Sequence, residues 1–264
     1  MTAFKWDAVD YARSSTVQQR WARELLAKLN LQGNERLLDL GCGDGKVTAE
    51  IASMLPNGTV IGVDNSAEMI ELAQSRFHAT EYPNLSFQVV DALNLNFDHK
   101  FDVVFSNAVL HWVADHISVL RGVADALKPN GRILLQMGGR GNATQVIAVM
   151  DQVRSMSEWC DYFVGFQFPY SFYGAEEYAE WLPQTGFVPV RVELIPKDMA
   201  HVDRLAFEGW LRTTWLPYIR RVEKERQQEF LDQVVDLYLT ANPPSSDGVV
   251  HVQMMRLEVE AKKE

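Results

Sequence analysis

Apolar residues along the chain fall into short runs separated by amphipathic segments of helix length. Val17, Trp21, Leu25, Leu26 and Leu29 recur at helical spacing and predict a helix over 15–29, capped by Ser14 or Ser15 and broken by Gly33-Asn34. Five apolar runs then read as buried strands: 36–43, 59–64, 85–92, 101–108 and 131–139. Helical patterns lie between them at 47–55, 66–77 and 116–127, with stops at Pro56-Asn57-Gly58 and Lys128-Pro129-Asn130-Gly131. Such alternation implies right-handed crossovers and a largely parallel sheet covered by helices on both faces. After Gly139 the rhythm changes. Helical pieces at 143–156 and 175–182 precede an alternating strand at 187–195, helices at 203–215 and 222–240, and a final strand at 248–262.

The segment Asp39-Leu40-Gly41-Cys42-Gly43-Asp44-Gly45 sits between the first strand and the next helix. Glycines there let the chain turn tightly and let a ligand approach the backbone. The spacing is G-x-G-x-G, not the G-x-G-x-x-G of a dinucleotide site. Asp39, just ahead of the loop, would repel a pyrophosphate and suits a cationic amine or sulfonium. Asp64 ends the second strand, where a carboxylate can accept from both hydroxyls of a ribose. Asp91-Ala92 ends the third, where an acid can hold an adenine amine. Each also has a plain structural reading. A strand-end Asp is commonly a cap, Cys42 a small filler, and Met69 a core residue.

In order, DLGCGDG, GVDNSAEMIELAQ, DALNL, FDVVFSNAVLHWV and LKPNGRILL resemble the class I S-adenosylmethionine-dependent methyltransferases over 36–139. The resemblance implies an α/β fold: a Rossmann-like, seven-stranded, mostly parallel sheet of order 3-2-1-4-5-7-6. Its last strand is antiparallel, and helical caps are inserted. It also implies S-adenosylmethionine as cofactor and S-adenosylhomocysteine as product. Asp39, Gly41, Cys42 and Gly43 would face the methionine part, and Asp64 the ribose. Asn65 and Met69 would meet the adenine edge and face, and Asp91 and Ala92 its amine, with Asn107 near the methionine end. Tyr11 and Arg13, ahead of the first helix, are candidates to fold over the cofactor, with surface positions as the alternative. The expected organisation is an arm and helix over 1–29, a cofactor core over 30–139 and an aromatic-rich cap over 140–186. A core strand over 187–196, a helical cap over 197–246 and a final strand over 247–264 follow.

Candidate acceptor chemistry centres on Asn107–Trp112 after the fourth strand. The NAxLxW pattern there, Asp115-His116, EGWLRTTWLPYI at 208–219 and the terminal strand resemble the trans-aconitate methyltransferases, and the segment Ser106–Trp112 also resembles the juvenile hormone acid methyltransferases. In the latter a Gln and a Trp hold the acid, and Gln18 and Trp112 are the matching residues. A carboxylate, already ionised at neutral pH, needs donors of this kind and no base. His111 is the candidate base for a phenol or carbon acceptor, or else a structural residue. The aromatics Trp159, Tyr162, Phe163, Phe166, Phe168, Tyr170, Phe172, Tyr173, Tyr178 and Trp181 read either as a buried irregular segment or as a lid over an apolar pocket. Phe207, Trp210, Trp215 and Tyr218 are candidates for the facing wall. Arg140, Arg212, Arg220 and Arg221 are the basic groups weighed for a polycarboxylate, the last two also reading as a solvated helix face.

Composition narrows the classes further. The 264-residue chain has a formal net charge of −10, which disfavours nucleic acid. Its two cysteines make neither a disulfide framework nor a cysteine-only zinc site, and no metal is expected. The longest uncharged run, 162–175, is shorter than the roughly 20 residues of a spanning helix. The expectation is a cytoplasmic enzyme, monomer or homodimer, acting on a small molecule away from membranes. A non-catalytic S-adenosylmethionine-binding protein is the alternative from another class.

Overall fold

The computed structural model describes residues 16–264, with side chains from Trp21 onward. Tyr11 and Arg13 lie outside the described residues, as does the side chain of Gln18, whose backbone is in the first helix. Seven strands form one sheet: β1 (Arg36–Leu40), β2 (Thr59–Asp64), β3 (Leu85–Val89), β4 (Phe101–Asn107), β5 (Leu127–Gly138), β6 (Phe187–His201) and β7 (Val250–Lys263). Their order is β3-β2-β1-β4-β5-β7-β6. The pairs β2–β3, β1–β2, β1–β4 and β4–β5 are parallel, and β7 runs antiparallel to β5. This is the sheet that the resemblance implied.

Nine helices are described: α1 (Thr16–Leu26), α2 (Lys46–Ser53), α3 (Ala67–Arg76), α4 (His116–Ala126), α5 (Thr144–Arg154), α6 (Ala175–Gln184), α7 (Arg204–Thr214), α8 (Leu216–Ile219) and α9 (Gln227–Ala241). The chain divides into two compact units. The first holds Tyr170–Ile195 and Arg256–Glu264 with everything up to Arg140 that is described, and the second holds Gly141–Pro169 and Pro196–Met255.

In the first unit, strand alternation sends neighbouring side chains to opposite cores. Leu37, Val103 and Phe105 join Leu25, Ile51, Val60 and Ile70 on one face. Leu38 and Val104 join Leu120, Val123, Tyr178 and Phe187 on the other. Each fully buried aliphatic side chain of this kind contributes about 1.5–3 kcal/mol.

Element ends follow local chemistry. β1 ends at Leu40, earlier than the apolar run suggested, because Gly41 at φ +79° and Gly43 at φ +53° take left-handed backbone. Ser66 caps α3 by accepting from the Met69 amide at 3.2 Å, and Asp115 caps α4 by accepting from the Ser118 amide at 2.9 Å. β5 begins at Leu127, not at Gly131, because Leu127 pairs with Phe101 before a shift in register restores pairing at Arg132. The helix expected over 222–240 starts at Gln227, preceded by a short 3-10 turn over Lys224–Arg226.

In the second unit, Trp159 packs edge-on against Phe230 at 5.3 Å, and Phe163 lies 5.6 Å from the same ring. Phe207, Trp210, Trp215 and Tyr218 are all buried there, and Phe207 meets Tyr238 at 4.7 Å.

Candidate active site

The candidate residues of the cofactor site gather at the carboxyl ends of the parallel strands. Asp39 is on β1, paired with Gly62 of β2 and Phe105 of β4, and is 3% exposed. Thr48 Oγ1, on the buried face of α2, donates to its carboxylate at 2.7 Å. Burial pushes the Asp39 carboxyl up to about 7, opposed by the Thr48 bond and reinforced by the charge of Asp64. A cation placed beside it would reverse that shift.

Asp64 ends β2. One carboxylate oxygen accepts from the Gly43 amide at 3.0 Å and the other from the Ser66 amide at 2.9 Å. Burial raises this group and the amide bonds oppose it. Each oxygen keeps lone-pair capacity, so the side chain is oriented and still able to accept from a diol. The loop's own amides are engaged within the protein. Gly41 and Cys42 both donate to the Val63 carbonyl, Gly43 to Asp64, and Gly45 to the Cys42 carbonyl. A pyrophosphate cradle needs amides turned outward, so this loop favours a cationic ligand end.

The glycines differ in what surrounds them. A Cβ on Gly41 would stand 2.2 Å from Val109 Cγ2, which explains the residue by close packing. A Cβ on Gly43 would meet none of the described residues within 4 Å, so among them that position leaves room for a ligand. Asp44 pairs with Lys46 at 3.1 Å and Arg76 at 2.6 Å, tying the loop to α2 and α3. Cys42 is buried, and burial pushes its thiol well up, in keeping with a filler.

Asn65 is exposed after β2, and Met69 is buried on α3 with its amide on Ser66. Asp91 is exposed and accepts from the Leu93 amide at 3.0 Å, heading a 3-10 turn that begins at Ala92. Val90 donates to the Asp64 carbonyl at 2.9 Å, which brings this strand end beside β2. Asn107 ends β4, and its buried Oδ1 has no hydrogen-bond partner among the described residues. Ala108 follows at φ +61°, a strained value for a residue with a Cβ, of the sort found at functional edges.

The next turn carries His111 and Trp112 (3-10 helix Leu110–Trp112). The Gly138 amide of β5 points to His111 Nδ1 at 3.4 Å. Burial, the Arg256 charge and His116 together hold the imidazole well below its ordinary pKa. The ring is therefore neutral, with its proton on Nε2. Tyr170 lies 4.7 Å from Trp112 and stacks on Phe172 at 5.5 Å, and Phe172 in turn lies 6.0 Å from His111.

Arg256 is a residue that the sequence reading passed over. It is buried on β7, registered opposite Gly138, with its guanidinium 5.6 Å from the Trp21 ring. Its signal was phase, since it shares a strand face with Val252 and Met254. The arginines weighed from sequence sit elsewhere. Arg140 pairs with Glu176 and Glu177, while Arg212, Arg220 and Arg221 are exposed in the second unit.

Comparison with known proteins bears on the family and the fold. A family model described as a methyltransferase domain matches residues 31–184. A trans-aconitate 2-methyltransferase of Methylobacterium radiotolerans is 32% identical over 263 residues, covering 98% of each chain. Among solved structures, the YcgJ protein from Bacillus subtilis superposes with a TM-score of 0.61 at 17% identity, over 93% of this chain and 99% of that one. The Haemonchus contortus phosphoethanolamine N-methyltransferase 2, solved with phosphomonomethylethanolamine and S-adenosylhomocysteine, gives 0.62 at 22% identity, over 97% and 56%. The chain belongs to the class I S-adenosylmethionine-dependent methyltransferases. Its cofactor is S-adenosylmethionine, and the site fits it: a buried carboxylate that gains from a cation, an oriented acceptor for a diol, an open glycine and an unpartnered amide oxygen.

Proposed function

We propose that this enzyme methylates a carboxylate oxygen of a small acid with an apolar or aromatic body. The cofactor, when bound, supplies an electrophilic methyl on a sulfonium. Asp39 and Asn107 would hold its methionine end and Asp64 its ribose. Asn65, Met69, Asp91 and Ala92 would meet the adenine.

The state of His111 carries the reading. With Nδ1 turned to the Gly138 amide, Nε2–H is a donor. A donor suits an acceptor that arrives already ionised. It is the wrong equipment for a phenol, which must lose a proton with a pKa near 10, and a weakly basic imidazole is poorly matched to that task. Trp112 carries an indole N–H at the same turn, and Gln18, whose side chain lies outside the described residues, is the second donor that the resemblance implies. Together these donors would orient the carboxylate for in-line attack and displace water from it. Tyr170 and Phe172, packed around His111 and Trp112, support an apolar body for the acid.

The net charge of −10 supports a small-molecule acceptor over nucleic acid. Among the described residues no helix is long and apolar enough to cross a membrane. We place the enzyme in the cytoplasm, as a monomer or homodimer. The test is methyl transfer to a panel of monocarboxylic acids and matched phenols. Transfer to acids with phenols inert supports the reading; the reverse preference overturns it.

A further inference from the structure

Tyr173, Tyr178 and Trp181 belong to the aromatic run that the sequence offered as a possible lid. In the structure they surround His116. Tyr173 meets the imidazole edge-on at 4.7 Å, Tyr178 at 5.7 Å and Trp181 at 6.0 Å. His116 is 1% exposed. Its Nε2 lies 2.8 Å from the Leu110 carbonyl, an acceptor only, so Nε2 carries the proton. Burial lowers its pKa and keeps it neutral. Nδ1 must then accept, and Tyr178 Oη stands 2.8 Å from it.

Two more bonds run the same way. The Ser171 amide donates to the His111 carbonyl at 2.8 Å, and Tyr173 Oη donates to the Ala114 carbonyl at 2.8 Å. Residues 171–178 therefore grip the turn over 110–116 at three points. The gripping segment is itself anchored. The Arg140 amide donates to the Tyr173 carbonyl at 2.9 Å, Arg140 pairs with Glu177, and Glu177 accepts from the Gly174 amide at 2.9 Å.

We infer that Tyr178 and His116 are positioning residues for methyl transfer, locking the turn that presents His111 and Trp112 to the acceptor. The inference rests on the proposed role of those two side chains as acceptor donors. A bound Nε2–H on Leu110 fixes the first residue of the turn, and the Tyr178 hydroxyl on Nδ1 holds the ring in the orientation that makes the bond. Loss of the Tyr178 hydroxyl leaves buried Nδ1 without that donor and the ring with one fewer bond, so the imidazole can swing off Leu110 while its aromatic packing is kept. Cofactor residues on β1, β2 and α3 are not part of this grip.

The test compares Tyr178→Phe and His116→Gln with the parent, using the full chain. The indole N–H resonance of Trp112 and the imidazole resonances of His111 report the turn without any acceptor. Calorimetry with S-adenosylhomocysteine reports the cofactor site. Turnover is read on whichever acid of the panel the parent methylates. The expected result is displaced Trp112 and His111 resonances, kcat lowered about 10- to 100-fold, and S-adenosylhomocysteine affinity within about twofold. His116→Gln, able to donate to Leu110, should retain more turnover than His116→Ala. Unmoved resonances overturn the inference, and so does a fall in S-adenosylhomocysteine affinity that parallels the fall in turnover. Transfer to phenols alone would overturn the carboxylate reading, while the resonances would still decide the grip.

Discussion

Thr48 Oγ1 donates to the buried Asp39 carboxylate at 2.7 Å, and burial still raises that carboxyl to about 7. A carboxyl raised from 3.8 in the folded state costs stability as pH climbs from about 4 to about 7, and the cost is constant above that. Asp39→Asn should therefore raise the thermal midpoint of the ligand-free protein at pH 8, by at most a few kcal/mol in stability. The gain should vanish near pH 4. The same variant should lose S-adenosylhomocysteine affinity at least tenfold, about 1.4 kcal/mol or more. Thermal scans against pH and calorimetry check both halves.

Gly41 and Gly43 separate packing from ligand access. Gly41→Ala adds left-handed strain at φ +79° and places its Cβ 2.2 Å from Val109 Cγ2, so it should destabilise by about 2–5 kcal/mol, with partial rescue by Val109→Ala. Gly43→Ala meets no atom of the described residues, so its stability cost should be only about 1–2 kcal/mol for the left-handed backbone. Its main effect should be weaker S-adenosylhomocysteine binding. Thermal midpoints and calorimetry on the two variants should rank them in opposite order.

Asp64 accepts two amide bonds that shape the loop. Asp64→Ala strands the Gly43 and Ser66 amides and removes the proposed acceptor for the ribose diol. Stability should fall by about 1–3 kcal/mol per amide left unsatisfied, and binding of adenosine should fall in proportion to that of S-adenosylhomocysteine. Retained adenosine binding would move the ribose away from this residue.

His111 and His116 are held neutral, with folded pKa values below 6.5. The unfolded chain then binds more protons, so stability drops as pH falls through about 6.5 and is unaffected above it. His111→Gln should flatten part of that drop between pH 7.5 and 5. Turnover should show no His111-dependent limb near neutral pH, and His111→Gln should keep more activity than His111→Ala. A neutral-pH limb that disappears in both variants would make His111 a base.

The sheet was legible because β1, β2 and β4 are short apolar runs separated by segments of helix length, and because β7 and β6 followed the family order. The cofactor edge was legible because Asp39, Asp64 and the glycines are adjacent in sequence to strand ends. The partners that set their state were not. Thr48 is nine residues from Asp39 in an ordinary amphipathic helix, and Gly138 meets His111 only through sheet pairing. The aromatic run was the least readable. Its composition gave no period, and the chain divides inside it, so that Tyr170–Trp181 belongs with the sheet and Trp159–Phe168 with the helical unit.

A carboxylate acceptor, as proposed, makes the product a methyl ester. Labelled methyl from S-adenosylmethionine, transferred to an accepted acid, should be released as volatile methanol by mild base. Label that stays in a base-stable ether or carbon-methyl product would contradict the account.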